Sequence, residues 1–261
     1  MQLIPLSSAT PALATSADGR AVDAMAGLIA CIGAQGFAND ALAQLNRWLP
    51  VSWLSVFRLS DHAPPRMPAS GSYRAPDGTA ESWAVYRSSL YRQDQTFLAA
   101  REQIGQARCT LVHWHAKEIP AAHRERIYTR HGLRERLSVV CKDKDDGLLA
   151  INLYRHESLP LFTGEEIEWV GMGAPILTSC VQRHLDLAGA REQSFDARLS
   201  VLTRREREVC ERMLKGWTYE GIANDLGISA GTVKTFRDRA FDRLGIHHRN
   251  ELFALVLVNT P

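Results

Sequence analysis

The sequence predicts an α+β domain followed by an all-α, four-helix domain that contains a helix-turn-helix. Apolar residues alternate in several segments of the first two thirds of the chain, and a hairpin signal joins two of those segments. The last quarter of the chain is predicted to be short helices only. Hairpin-connected strands form an antiparallel sheet on which helices pack. A phosphoacceptor receiver domain would instead alternate strands and helices around a parallel sheet, and this order of elements is absent from the sequence.

Length and composition limit the class of protein. The chain has 261 residues, of which 45% are hydrophobic and 23% charged, values typical of a soluble protein with two domains. The formal net charge is +2, so a nucleic-acid-binding face has to be local. The first residues lack the basic start and apolar run of a signal peptide, and no apolar run approaches the ~20 residues that span a bilayer. We therefore expect a cytoplasmic protein that does not contact a membrane.

The cysteines are five in number, widely scattered, and without a C-x-x-C pair. This pattern favours reduced thiols over a disulfide framework or a zinc site. We expect Cys31, Cys109, Cys141 and Cys180 to be small buried apolar residues.

Two histidines, His113 and His115, alternate along a predicted strand and therefore point to the same side of it. Such a pair could ligate a metal ion, but the sequence shows no nearby cysteine or third ligand. Exposed or hydrogen-bonded histidines are the expectation, and no metal or cofactor is predicted.

The first part of the chain divides into an arm and a folded domain. Residues 1–20 are rich in Ser, Ala, Thr and Pro and predict a flexible arm. Residues 21–187 form the predicted α+β domain. Its predicted helices cover residues 21–34, 37–49, 79–92, 121–131 and 163–187. Its predicted strands cover residues 51–59, 109–115, 137–141 and 147–154, and residues 61–68 are a loop or an edge.

Two local signals define the end of this domain. The acidic turn at residues 143–146, followed by Gly147, is a hairpin signal. Thr163 and Glu166 match a capping box that starts a helix. Residues 188–198 are small and polar and form the predicted linker, which leaves residues 199–261 as the second domain.

The second domain contains two short helices joined by a glycine turn. Thr203 and Glu206 form a capping box for an earlier helix, which Gly216 ends. After Gly227, Ser229 is the predicted N-cap of a helix from Ala230 to about Leu244. Two helices with a turn of this kind form a helix-turn-helix, whose second helix usually enters the DNA major groove. An ordinary αα-corner is the alternative.

The outer face of that second helix is polar and contains several cations, while its apolar residues fall on the opposite side. Lys234 and Thr235 are placed for base edges or phosphates, and the arginines for the backbone on either side. Asp238 would repel phosphate, so it either accepts a hydrogen bond from cytosine N4 or pairs with Lys234. A solvated charged face is the alternative. The candidate DNA contacts are Thr232, Lys234, Thr235, Arg237, Asp238, Arg239 and Arg243.

A family resemblance favours DNA binding over these alternatives. The segments Leu202–Val209, Leu226–Ser229, Thr232–Thr235 and Leu244–Ile246 resemble the C-terminal four-helix domain of LuxR-type transcriptional regulators. The resemblance covers about the last quarter of the chain. It implies that Lys234, Thr235 and Asp238 occupy base-contacting positions and that a fourth helix, at residues 249–258, supports a homodimer. Phe236 stands where the family often has His, and Asp238 stands where a basic or polar residue is common.

The order of elements in the first domain is similar to the sensor domains of acyl-homoserine-lactone receptors, the quorum-sensing members of that family. Their pocket uses spaced aromatic residues and an Asp-Pro pair, whereas here Asp94 precedes Gln95. The aromatic residues could equally fill a core, and Asp94 could lie exposed at a helix end. The candidate ligand contacts are Trp53, Phe57, Trp83, Tyr86, Tyr91, Asp94 and Trp114.

The sequence is compatible to different degrees with three functions. The first is a ligand-responsive transcriptional regulator that binds a double-stranded DNA operator as a dimer, with RNA polymerase as a further candidate partner. The second is a regulator whose first domain only dimerises or docks another protein. The third, an enzyme, is disfavoured because the sequence has no Gly-rich phosphate loop, nucleophile elbow or carboxylate pair with a suitable base.

Overall fold

The computed structural model describes residues 1–6, 19–60, 63–104, 109–144 and 147–257. The chain divides into two compact units, Met1–Leu185 and Asp186–Pro261. Across the described ranges, none of the helices combines the length and the apolar character that a bilayer-spanning segment needs.

The first unit is built on a six-stranded antiparallel sheet. The strands are β1 Gln2–Leu6, β2 Trp53–Leu59, β3 Arg66–Ser72, β4 Cys109–His115, β5 Leu133–Lys142 and β6 Leu148–His156. Their order across the sheet is β1-β4-β5-β6-β2-β3. β5 and β6 form the expected hairpin, where the amide of Asp143 donates to the carbonyl of Gly147 at 2.8 Å. The predicted α+β class is confirmed.

Helices cover both faces of this sheet, because alternate residues of each central strand are apolar on both sides. The helices are α1 Gly19–Ala30, α2 Phe37–Leu45, α3 Thr79–Ser88, α4 Gln95–Ile104, α5 Ala121–His123 and α6 Gly164–Leu199. α5 continues as a π-helical turn, Arg124–Thr129, and 3₁₀ turns cover Leu90–Gln93 and Ala116–Glu118. Leu111 and Ile151 belong to the core beneath α1, α2 and α6, whereas Val112 and Ala150 belong to the core beneath α3 and α4.

The start of α6 is fixed by the predicted capping box and by a buried cation. Thr163 Oγ1 accepts from the amide of Glu166, and Glu166 Oε2 accepts from the amide of Thr163. The guanidinium of Arg155, which is 1% exposed, also donates to both carboxylate oxygens of Glu166, at 3.1 and 2.6 Å. These hydrogen bonds hold the pKa of Glu166 below its ordinary value despite the opposing effect of burial. The contact joins β6 to α6.

One prediction at the start of the first unit is wrong. The predicted flexible arm includes β1, which pairs with β4 at the edge of the sheet; residues 7–18 lie outside the described residues. Pro5 gives no strand signal, and an edge strand tolerates it because its missing N–H need not bond to a neighbour. Residues 188–198, which the sequence predicts to be a linker, are part of a helix, because α6 continues to Leu199. The Ala, Arg, Glu and Gln residues of this segment favour helix more than Gly189 opposes it.

The predicted lengths of some elements are also wrong. β5 begins at Leu133 rather than at residue 137, and α4 was not predicted. The edge alternative for residues 61–68 is realised only in part, since the edge strand β3 covers Arg66–Ser72. The start of β5 was missed because Arg134, Glu135 and Arg136 are charged and interrupt the apolar alternation that indicates a strand.

Cys109 and Cys141 correct the expectation of reduced thiols. The two residues lie directly opposite each other on β4 and β5, and the structure joins them by a disulfide with an S–S distance of 2.04 Å. Neighbouring antiparallel strands brought together two cysteines 32 positions apart, which sequence spacing did not reveal. Cys31 and Cys180 are buried free thiols, as predicted, and burial is the main cause of their raised pKa values.

Up to residue 257, the second unit contains four helices in addition to the end of α6: α7 Arg204–Leu214, α8 Tyr219–Leu226, α9 Ala230–Leu244 and α10 Arg249–Leu257. Their common core includes Val209, Met213, Ile222 and Val233, all fully buried. The all-α, four-helix prediction for this part of the chain is confirmed. α7 begins with the predicted capping box, in which Glu206 Oε2 accepts from the amide of Thr203 at 2.8 Å.

Candidate DNA-binding surface and ligand pocket

The turn between α8 and α9 is fixed by backbone geometry and two caps. Gly227 adopts a left-handed conformation, with φ of 65°, at which a residue with a Cβ would be strained. Ser229 Oγ accepts from the amide of Thr232 at 3.1 Å, and Thr218 Oγ1 caps α8 by accepting from the amide of Gly221. The turn and N-cap are as the sequence predicts, and they set the direction in which α9 leaves α8.

α9 buries one side and presents the other to solvent. Val233 and Ala240 are fully buried, whereas Lys234, Thr235, Asp238 and Arg239 are exposed. Over its length the helix contains four basic residues and two acidic ones. Thr235 Oγ1 donates to the carbonyl of Gly231 at 3.1 Å. This hydrogen bond leaves the methyl group and the oxygen lone pairs of Thr235 at the surface.

Tyr219, on α8, organises the cations of α9. Arg237 Nη1 donates to the Tyr219 hydroxyl at 2.8 Å, and the guanidinium lies 5.4 Å from the ring centroid. Lys234 Nζ lies over the same ring at 5.9 Å. Arg237 also donates through Nε to Asp238 Oδ1 at 2.7 Å. Asp238 therefore pairs with Arg237, and not with Lys234 as one of the two sequence-based interpretations had it.

Two further candidate contacts, Thr232 and Arg243, lie near the two ends of α9. Thr232 is half-buried at the helix start, where its hydroxyl lies 2.8 Å from that of Ser229. Arg243, at the far end, donates to the carbonyl of Val201 at 3.2 Å and lies 3.4 Å from the buried carboxylate of Glu206. Arg243 is therefore already engaged with the region around the start of α7.

A narrow cavity lies between the sheet and α3 in the first unit. It holds about 30 Å³ and is lined by four of the predicted residues, Trp53, Phe57, Trp83 and Tyr86. The Phe57 ring lies 5.0 Å from that of Trp83 and 5.3 Å from that of Tyr86. These aromatic residues form both a core and the wall of a cavity, so the two alternatives of the sequence analysis are not exclusive.

The remaining predicted ligand contacts lie beside that cavity. Asp94 and Trp114 line a second cavity of about 50 Å³, which shares His123 and Arg136 with the first. Tyr91 lies apart from both and lines a wider hollow of about 250 Å³, which Asp94 also borders. The structure thus brings together six of the seven predicted residues around two adjoining cavities.

Asp94 is the centre of a buried polar cluster. Its side chain is 5% exposed, so the interpretation of an exposed carboxylate is wrong. Tyr86 Oη donates to Asp94 Oδ2 at 3.2 Å, and the amide of Thr96 donates to Oδ1 at 2.9 Å at the start of α4. Arg136 approaches Oδ2 to 3.9 Å and donates to Thr96 Oγ1 at 2.8 Å. Burial, reinforced by the charge of Asp94, raises the pKa of Tyr86, so its hydroxyl remains a donor.

Several polar atoms around this cluster lack partners. Within the described part of the chain, Arg136 Nε, Tyr128 Oη and Trp114 Nε1 are buried and have no hydrogen-bond partner. Buried polar groups are normally satisfied, so these unpaired atoms distinguish the region from an ordinary core. His123, which both cavities share, has a pKa lowered to about 4, mainly by burial, and is therefore uncharged at neutral pH.

Comparison with known proteins establishes the class of the second unit. The family described as "Bacterial regulatory proteins, luxR family" matches residues 200–256. These residues form a luxR-family helix-turn-helix domain. The match spans α7 to α10 and confirms the family resemblance of the sequence motifs.

Two curated relatives align over 56 and 54 residues, about the length of the luxR-family domain. One relative is a protein of Aeromonas salmonicida whose name describes an HTH-type transcriptional regulator in the exeN 3' region. It is 50% identical to this chain over 56 residues, which cover 22% of this chain and 29% of that protein. The HTH-type transcriptional regulator MalT of Yersinia pestis is 39% identical over 54 residues, 21% of this chain and 6% of MalT. The chain thus spans less than a third of the length of these relatives.

A solved structure resembles a larger part of the chain. CepR2 from Burkholderia cenocepacia, described as an N-acylhomoserine lactone dependent LuxR family transcription factor, is 16% identical. The similarity covers 64% of this chain and 94% of CepR2, with a TM-score of 0.45.

Within the luxR-family domain and the first unit, the sequence analysis missed three residues that organise the two sites. Tyr219 holds Lys234 and Arg237, and Arg136 and His123 connect the two cavities. Tyr219 directly follows Thr218, the cap of α8, and an aromatic ring at the start of a short helix was a signal that could have been used. Arg136 offered none, because its strand was not predicted to extend that far.

Proposed function

We propose that this protein is a transcriptional regulator that binds an operator through α9 as a dimer and senses a small molecule in its first unit. The observation that supports DNA binding best is the exposed, capped helix α9, which presents Lys234 and Thr235 beside each other after the glycine turn. A helix of this kind fits a major groove about 12 Å wide, where lysine can bind guanine O6 and N7.

The arginines of α9 have separate expected roles. Arg239 is exposed and free to approach a phosphate, whereas Arg237 is held between Tyr219 and Asp238. Asp238 partly neutralises Arg237, so it lowers attraction to the backbone and favours a contact with a base donor such as cytosine N4. Arg243 is expected to contribute least, because it is already paired with Glu206.

DNA binding is tested by selecting a preferred duplex from a random library with the full-length protein and then measuring affinity by fluorescence anisotropy. Lys234→Ala is expected to cost about 1–3 kcal/mol on the selected duplex and much less on a scrambled one if the lysine reads a base. If it contacts a phosphate, both duplexes lose affinity alike and the salt slope falls by about 0.9. Lys142→Ala removes one exposed charge from the first unit and is the matched control.

Two results would contradict this role. One is wild-type affinity for Lys234→Ala on both duplexes, and the other is an equal loss for Lys142→Ala. The dimer is tested separately, by sedimentation of the full-length protein with and without the selected duplex. α10 has an apolar sequence in which Phe253, Ala254 and Leu255 remain partly exposed, and this supports a helix-to-helix interface.

The small-molecule site is supported by the unpaired donors around the two cavities. A ligand with a hydrogen-bond acceptor would satisfy Arg136 Nε, and its apolar part would lie among the rings of Trp53, Phe57 and Tyr86. The lining side chains have to move apart for this, since the cavities hold about 30 and 50 Å³.

The narrowness of the cavities favours a second candidate, a first unit that only dimerises or docks another protein. Mass spectrometry of organic extracts from full-length protein purified from its native host distinguishes the two. Thermal shift with N-octanoyl-homoserine lactone and with octanoate provides defined probes, one a neutral acceptor and the other an anion. Stabilisation by either probe that is lost in Arg136→Met supports sensing. The second candidate would be supported if mass spectrometry detects no extracted compound and neither the extracts nor the probes change the melting temperature.

A further inference from the structure

His113 and His115 acquire a third neighbour from an adjacent strand. β4 and β5 are antiparallel, and their register places His115 directly opposite Glu135. His113 lies two positions earlier on β4, and so its side chain emerges on the same face of the sheet. Three potential metal ligands from positions 113, 115 and 135 thereby converge, although the sequence separates the third from the first two.

The distances between these side chains are close to those of a coordination shell. His113 Nε2 lies 2.8 Å from Glu135 Oε2, and His115 Nδ1 lies 3.8 Å from the same oxygen. One nitrogen or oxygen from each residue lies within 4.8 Å of the others. An ion bound at about 2.0–2.2 Å requires its ligands to lie within about 4.4 Å of one another, so small side-chain rotations suffice.

The carboxylate is held in place by a backbone amide from the segment that precedes α6. Glu135 is fully buried, and its second oxygen, Oε1, accepts from the amide of Phe162 at 2.6 Å. Such a hydrogen bond from outside the ligand set orients a ligating carboxylate and leaves the other oxygen for the metal. His113 is also buried, and its ring lies 6.2 Å from that of Phe162.

One ligand of the three remains accessible. The His115 side chain is 42% exposed, while that of Glu135 is 0% exposed. His115 thus provides the route by which an ion would enter, and solvent on that side leaves a coordination position for water. A buried carboxylate and imidazole, with a second imidazole at the surface, form a three-ligand site with an open fourth position.

From this arrangement, we propose that His113, His115 and Glu135 bind a divalent transition-metal ion, with Zn²⁺ the ion best matched to two imidazoles and one carboxylate. The site lies on the sheet face beneath α1, α2 and α6, opposite the face that lines the ligand cavities. It is therefore distinct from the proposed small-molecule site.

Zn²⁺ binding to untagged, chelator-stripped full-length protein tests the proposal, measured by competition with a fluorescent chelator. Wild type is expected to bind one Zn²⁺ per chain at this site. His115→Ala should weaken that binding at least about tenfold, the scale of loss seen even for residues that only support a metal ligand. His156→Ala, at the end of β6, removes a histidine from the same sheet and should bind as wild type.

A second readout identifies the ligands. Co²⁺ bound in place of Zn²⁺ should give visible absorption bands in wild type and His156→Ala that are lost in His115→Ala. His115 is exposed enough for its replacement to preserve the fold, which circular dichroism and the metal-free unfolding temperature verify. Absence of Zn²⁺ binding by wild type, or wild-type affinity in folded His115→Ala, would show that these residues form only a hydrogen-bonded cluster and would overturn the proposal.

Discussion

Replacing Arg136 by methionine is expected to destabilise the first unit strongly. Arg136 is 2% exposed and faces the carboxylate of Asp94, whose side chain is 5% exposed. Methionine fills a similar volume but removes the cation, so Asp94 is left buried with two hydrogen bonds, from Tyr86 and from the amide of Thr96.

The magnitude follows from the geometry of the pair. Removing one partner of a buried ion pair typically costs about 3–5 kcal/mol. The separation of 3.9 Å and the two remaining hydrogen bonds place the expected cost near the lower end, about 3 kcal/mol. For a unit of 185 residues this corresponds to a fall in melting temperature of roughly 6–12 °C.

A double-mutant cycle decides whether the electrostatic interaction is the cause. The variants are Arg136→Met, Asp94→Asn and the double variant, and their unfolding in urea is followed by tryptophan fluorescence. Of the six tryptophans, Trp217 alone lies in the second unit, so the signal reports mainly on the first. The double variant should be less destabilised than the sum of the single variants, by about 2 kcal/mol.

Arg92→Met is the control, because Arg92 is exposed and its replacement should change stability by no more than about 0.5 kcal/mol. A cost below about 1 kcal/mol for Arg136→Met, or strictly additive effects in the cycle, would refute the account of a desolvated charge pair.

Three further predictions concern stability. Burial lowers the pKa of His123 to about 4, whereas the pKa of a histidine in the unfolded chain is about 6.5. As the pH falls, the imidazole is therefore protonated in the unfolded chain before it is protonated in the folded one. The free energy of unfolding consequently decreases as the pH drops from about 6.5 to about 4. His123→Asn should remove up to about 3 kcal/mol of that fall in urea unfolding, and unchanged pH dependence would contradict the assignment. Thr203→Ala removes the hydroxyl that accepts from the amide of Glu206, and it should destabilise α7 by about 1 kcal/mol. Faster hydrogen exchange of the first turns of α7 would show this, and unaltered exchange would argue against the cap. Glu166→Gln should lower the free energy of unfolding by about 3 kcal/mol, because it leaves the buried Arg155 without its negatively charged partner. A decrease below about 1 kcal/mol in urea unfolding would count against this ion pair.

The luxR-family domain could be predicted in detail because its signals are local. A hydroxyl cap acts on an amide three residues away, and a glycine permits a left-handed turn at its own position. Ser229, Gly227 and the Thr203 capping box therefore identify themselves within a few residues, and the structure has all three. The pairing of Asp238 with Arg237 was not predicted, and Arg237 is also held by Tyr219 from another helix.

The first unit shows the opposite situation, in which the important residues are defined by strand pairing. Glu135 and Arg136 are neighbours on β5, and the alternation of a strand sends them to opposite faces of the sheet. One joins His113 and His115, and the other joins Asp94 and the ligand cavities. Neither role can be deduced from local spacing, since the register of β4 against β5 decides which residues meet. The same register places Cys109 against Cys141. Once that single pairing is known, the disulfide, the candidate metal ligands and the position of Trp114 and Arg136 on the cavity side of the sheet all follow from one ladder of alternating side chains.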